Sequence, residues 1–100
     1  MAITPEGKVK AQVKRILDDH GVYYFCPATG GYGRSGVPDI IGCCNGLFFA
    51  IECKAGKGET TALQERELRR IGESNGTALV IYEDGMELVR KMLAALSAPS

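Results

Sequence analysis

Asn45-Gly46 stands between two apolar runs, and no other feature limits the possible folds of this chain as tightly. Both residues tolerate positive φ, which makes the pair the strongest short signal for a β-hairpin. A two-residue loop pairs Cys44 with Leu47. Counting outward, Ile41 then faces Ala50 and Asp39 faces Glu52. Directly opposed residues share one side of a sheet, with Cβ atoms roughly 4.5–5.5 Å apart. Side chains alternate along a strand, so Lys54 joins the Glu52 side. Two carboxylates so placed repel each other unless a cation lies between them. A structural hairpin gains nothing from that arrangement, whereas a divalent-metal site does.

The bulk properties set wide bounds. The chain has 100 residues, which suits a single domain with one modest core. That core is expected over about residues 4–93, with a frayed C-terminal tail. Net charge is zero, so attraction to a polyanion has to come from local clusters. Lys8, Lys10, Lys14 and Arg15 form one such cluster, and Arg66, Arg69 and Arg70 another. Each alone reads as a solvated helix face. No apolar run is long enough to cross a bilayer. Cys26, Cys43, Cys44 and Cys53 fit no zinc spacing and read as reduced core residues, so a cytoplasmic setting is expected.

Local signals give the order of elements. Thr4-Pro5-Glu6 opens a helix, with Thr as N-cap, Pro at the first helical position and an acid at the positive end of the dipole. Val9, Val13, Ile16 and Leu17 form its apolar stripe, and Gly21 is a plausible left-handed cap. At about 100° per residue Glu6 falls inside that stripe. Val22 to Cys26 reads as a strand, Pro27 to Gly36 as a glycine-rich loop, and the registered hairpin follows. Away from the acids both hairpin faces are apolar, which predicts helical cover on both sides. Thr61-Ala62-Leu63-Gln64 has capping-box spacing and opens a second helix, closed by Asn75-Gly76. Thr77 to Tyr82 is a buried strand, and a last helix runs from Met86 to Leu96. The third strand, second helix and fourth strand form a βαβ unit, so those two strands should be parallel.

Hard cations such as magnesium select carboxylate oxygens, and Asp39 and Glu52 supply them. Lys54, on the same side, can hold a phosphate oxygen or activate an attacking water. Glu6 reaches toward the cluster from its helix, and Gln64 faces inward from the second. Each has a plainer reading. Glu52 and Lys54 make a solvated edge pair, Asp39 is a turn residue after Pro38, Glu6 favours a helix dipole, and Gln64 is half of the Thr61 capping box. Strand register and helical phase nevertheless bring Glu6, Asp39, Glu52 and Lys54 together without contradiction. In the long loop, Tyr32 suits stacking on an unpaired base and Arg34 suits a phosphate, or both are ordinary loop residues. Lys57 could add a phosphate contact or be a solvated loop lysine.

Pro38-Asp39 followed by Glu52-Cys53-Lys54, with a helix before and βαβ after, resembles the PD-(D/E)XK nuclease superfamily. Over roughly residues 4 to 93 the whole chain looks like its compact viral-type replication and repair branch, the VRR-NUC domain. Gly36-Val37-Pro38-Asp39, Ile51-Glu52-Cys53-Lys54 and Gln64 carry the likeness. The resemblance implies an α/β, restriction-endonuclease-like αβββαβ core with a mixed four-stranded sheet between helices. It also implies that Asp39 and Glu52 bind Mg2+ or Mn2+, with the main-chain carbonyl of Cys53 and the Glu6 carboxylate as further ligands. Lys54 takes the catalytic-lysine place, and Gln64 matches the helix glutamine.

The function so implied is a metal-dependent DNA endonuclease. As a homodimer it would act on branched DNA such as a Holliday junction or flap. The competing expectations are a non-catalytic DNA-binding module on the same scaffold, an enzyme acting on small nucleotides, and a structural component whose acids hold metal only for folding.

Overall fold

The computed structural model describes residues 3–28 and 33–99. Helix α1 spans Pro5–Asp19, and strands β1, β2 and β3 span Tyr23–Phe25, Ile40–Cys44 and Leu47–Cys53. Helix α2 spans Ala62–Glu73, strand β4 Thr77–Ile81 and helix α3 Met86–Ser97. The expected element order is therefore the observed one.

Helix ends form where local chemistry demands them. The Thr4 hydroxyl accepts from the Gly7 amide at 3.0 Å. At the other end of α1, Gly21 takes φ +66°. There the Val22 amide donates to the Leu17 carbonyl and the Gly21 amide to Asp18, which closes the open carbonyls in a left-handed cap. Asn75, at φ 69°, ends α2 in the same manner, with the Gly76 amide on the Ile71 carbonyl.

The sheet has strand order β1-β2-β3-β4. Asn45 and Gly46 both have positive φ, 53° and 80°, and Cys44 pairs with Leu47 and Ile41 with Ala50. The register counted from the turn is the register of the hairpin. β1 pairs antiparallel with β2, and β3 pairs parallel with β4 through the α2 crossover. β1 is shorter than the apolar content of 22–26 suggests, because Val22 and Cys26 lie outside the ladder and pack on the core instead.

The two sheet faces differ. Ile40, Cys44, Phe49, Ile51, Cys53 and Ile81 pack with the buried stripe of α1 and with Val89, Met92 and Leu93 of α3. The opposite face carries Phe48, Ala50 and Glu52, and there α2 reaches both ends of β3. Gln64 bonds Glu52, and the Ile71 end of α2 lies against Phe48 beside Gly76. Helices thus flank both faces, but α2 does not cover β1 and β2. Tyr23 and Phe25 remain exposed, as does Leu63 on α2 itself. Helix α3 continues to Ser97, whose hydroxyl meets the Cys44 thiol at 3.3 Å, while the Asn45 side chain donates to the Leu96 carbonyl. The end of α3 is therefore tied to the hairpin turn at Leu96 and Ser97.

Phe49 is fully enclosed by this core. Phe49→Ala should cost about 3–5 kcal/mol, read as a lower urea midpoint with an unchanged slope. A loss below about 1 kcal/mol would mean that the core is not organised around this ring.

Candidate active site

The sheet edge where β2 begins and β3 ends gathers four side chains of complementary chemistry. Ile40↔Ile51 is the last ladder pair, so Asp39 and Glu52 come next on the two sides of the hairpin. One oxygen of Asp39 accepts from the Cys53 amide at 2.9 Å, which fixes its carboxylate beside the end of β3. Glu52 is 2% exposed and Lys54 7%. The Lys54 ammonium lies 3.5 Å from Glu52 Oε2. Lys54 is held through its backbone, its amide donating to the Ile81 carbonyl of β4 at 2.9 Å.

Gln64 fills both roles that its sequence position allows. Its Oε1 accepts from the Thr61 amide at 2.9 Å, and the Thr61 hydroxyl accepts from the Gln64 amide, completing the capping box. Its Nε2 donates to Glu52 Oε2 at 3.2 Å. One amide therefore caps α2 and orients the buried carboxylate. The approach of the preceding loop to α2 is equally close. Gly36 has φ +80°, and a Cβ there would lie 2.7 Å from the Leu63 carbonyl carbon and oxygen.

Electrostatics mark the same spot. Burial is the main reason that the Glu52 carboxyl rises to about 7, and the neighbouring Asp39 charge adds to it. Lys54 opposes the rise through its charge and hydrogen bond without cancelling it. The Cys53 thiol, on the core side, is pushed up to about 12 by burial and then by the charges of Asp39 and Glu52. It is no thiolate near neutrality, so only the main chain of Cys53 can serve a hard cation there.

The remaining candidates stand apart from this group. Glu6 is exposed in the first turn of α1, so the stripe angle does not bury it. It lines a cavity of about 410 Å³ with Thr4, Pro5 and Ala55, the residue after Lys54. Among the described residues no group of three His, Cys, Asp or Glu side chains gathers closely enough to hold a metal ion. Arg34 is not a free loop residue: its guanidinium forms a bidentate pair with Glu67 of α2. Tyr32 lies outside the described residues. Lys57 is exposed on the 55–58 turn. That turn is tied down by Glu83 on the Gly56 amide and by the Tyr82 hydroxyl on the Gly58 carbonyl. Sequence reasoning missed Glu67, Tyr82 and Glu83, since nothing in their local spacing distinguishes them from surface residues.

The family model for the archaeal Holliday junction resolvase, Hjc, matches residues 7–79. The chain belongs to the Hjc family. This is a family of junction-resolving endonucleases within the PD-(D/E)XK nuclease superfamily. The superfamily expected from the motif is thus the one shown; within it the match is to the Hjc resolvases and does not show the VRR-NUC branch. Asp39, Glu52, Lys54 and Gln64 fall within the Hjc match, and Glu6 lies one residue before it. No curated protein matches the chain. No helix among the described residues is long and apolar enough to cross a membrane.

The raised Glu52 carboxyl has a consequence for stability. With a folded value near 7 against 4.5 in the open chain, the folded state binds more protons between those limits. The Glu52 contribution to metal-free stability is therefore fully present below about pH 4.5 and is lost as pH rises through 7. Allowing for solvent screening, the loss is roughly 2 kcal/mol. In EDTA, Glu52→Gln should raise the melting temperature at pH 8 by several degrees and by much less at pH 5. An equal shift at both pH values would contradict the assignment.

Proposed function

We propose that the chain is a Mg2+- or Mn2+-dependent endonuclease that cuts branched DNA as a homodimer, with Asp39, Glu52, Lys54 and Gln64 as its active site. The observation that carries this reading is the Asp39–Glu52 pair. A buried carboxylate stands beside a second acid, and its nearest partners are a neutral amide at 3.2 Å and an ammonium at 3.5 Å. Two hard-oxygen donors with unbalanced negative charge fit a small divalent cation. PD-(D/E)XK nucleases typically use such metals. Asp39 and Glu52 would hold it, with the Cys53 carbonyl and Glu6 as further candidates. When bound, it lowers the pKa of a coordinated water and offsets phosphate charge.

The chain's own residues supply the rest. Water adds to phosphorus as one P–O ester bond breaks, and negative charge gathers on the phosphoryl oxygens and the departing oxygen. The Lys54 ammonium, held on the site side of the sheet, would stabilise that charge. Gln64 keeps the Glu52 carboxylate turned into the site. The Cys53 amide does the same for Asp39. Glu6, at the cavity rim beside Ala55, is available as an outer acid once DNA fills the space.

The bare sheet face supports the homodimer. Tyr23, Cys43 and Phe48 are opposed across three strands and exposed, and Phe25 lies in the next row on the same face. An apolar, aromatic-rich patch of this kind marks an association surface, and a second copy would bring a second site to the opposite strand of a junction. Light scattering should give twice the chain mass, and Phe25→Asp with Phe48→Asp should give the monomer. A wild-type monomer would refute the dimer.

Cleavage of a labelled four-way junction tests the catalytic reading. Asp39→Asn keeps an acceptor for the Cys53 amide and removes the charge, so it should still bind the junction yet cut at least about a hundredfold more slowly. If it cuts like wild type, Asp39 is not a metal ligand. A wild-type protein that binds without cutting in either metal is the non-catalytic module instead.

A further inference from the structure

Helix α2 buries one residue, and that residue is a glutamate. Glu67 is 6% exposed. Arg34 holds it in a bidentate pair through Nε and Nη2, the latter at 3.0 Å. Arg66 Nε stands 3.9 Å from its second oxygen. Arg70 lines the same 360 Å³ cavity as Arg34 and Glu67, and its charge is felt at the Glu67 carboxyl. A helix that only needed to cover the sheet would be served better by leucine at this place, because burying a carboxylate is unfavourable without partners.

The arginines are the informative part. Their side chains are 55% and 48% exposed at Arg34 and Arg66, although both contact a buried acid. A guanidinium carries five N–H donors, and the pair with Glu67 uses neither donor of Arg34 Nη1. A guanidinium whose inner edge is fixed by a carboxylate presents a rigid outer edge, and that geometry suits a phosphate. Glu67 follows Gln64 by three residues, so the two project from the same side of α2. Since Gln64 touches Glu52, the Arg34–Glu67 pair stands about one helical turn along α2 from the proposed site of cleavage.

We infer that Arg34, oriented by the buried Glu67, forms with the neighbouring Arg66 and Arg70 a clamp for backbone phosphates of the DNA strand flanking the cleaved bond. This rests on the nuclease reading but goes beyond it, since it assigns binding to residues outside the metal centre. The Arg66–Arg70 cluster, which taken alone looks like a solvated helix face, acquires a purpose through Glu67. The same contact explains why Arg34 serves DNA while tied to a protein carboxylate. Arg34 ties the chain before β2 to α2, and the phosphate takes the donors that remain.

The test is equilibrium binding of a four-way junction in EDTA, where no cutting occurs, over a range of NaCl concentrations. Arg34→Ala and Arg70→Ala should each weaken binding several-fold and lower the slope of log K against log salt by about one. Glu67→Gln gives the decisive sign. It removes a negative charge, so an unstructured basic surface would bind DNA as tightly or more tightly; a clamp that Glu67 organises binds several-fold more weakly. Arg34→Lys keeps the charge but loses the fork, and should also weaken binding. It keeps the test decisive if Glu67→Gln lowers the melting temperature too far. Unchanged salt slopes in both alanine variants overturn the clamp. Glu67→Gln binding at least as tightly as wild type overturns the role of Glu67. Failure of wild type to bind any junction would overturn the nuclease reading as well, whereas flat variants beside a binding wild type sink only the clamp.

Discussion

Only two residues, Asn45 and Gly46, close the β2–β3 hairpin, and both sit at positive φ. Every pair on the two strands is fixed by that closure. A slip of one residue would turn Glu52 into the core and aim the Cys53 thiol at the site, because side chains alternate between faces. The core enforces the same register from the other side. Phe49, Ile51 and Cys53 are enclosed under α1 and α3, so these three positions of β3 cannot turn to the other face without losing that cover. Burial on one face therefore holds the acids on the other.

The acidic pair works against the stability of the fold that carries it. Glu52 is buried next to Asp39, and its raised carboxyl is the measure of the conflict. Lys54 and Gln64 ease it without removing it, since one is 3.5 Å away and the other is neutral. Sites that must hold a cation are built in this unbalanced form, and folded stability is lower for it. Gln64 also shows how a helix start becomes part of a site. The reciprocal hydrogen bonds of the capping box fix its amide, and the free end of that amide reaches Glu52.

Much of this was legible in the sequence because it is local. The hairpin turn, the Thr4 and Thr61 caps, the Gly21 stop and the parallel crossover each follow from a few adjacent residues. So does the meeting of Asp39, Glu52 and Lys54, which needs only the turn and a count of two. The α2 environment was not legible. Arg34 and Glu67 are 33 residues apart, and nothing in the spacing of either points to the other. Leu63 is apolar yet lies exposed, because the capping box and the Gln64 contact set the rotation of the helix. The bare aromatic rows on β1 and β3 were hidden for a related reason. Alternation predicts two apolar faces, and only the path of α2 decides which strands it covers. Glu6 shows the limit of helical phase, which gives a direction but not how far beyond the core a first turn extends.

Membership of the Hjc family fixes the broad chemistry, and the assignment of its metal to Asp39 and Glu52 is the claim on which the rest of the account stands. Crystals soaked in Mn2+ and measured at the manganese absorption edge test it most directly. The account predicts an anomalous peak about 2.1 Å from an oxygen of each carboxylate, on the Lys54 side of the sheet. A peak that touches neither carboxylate, or none at a saturating concentration, would contradict it.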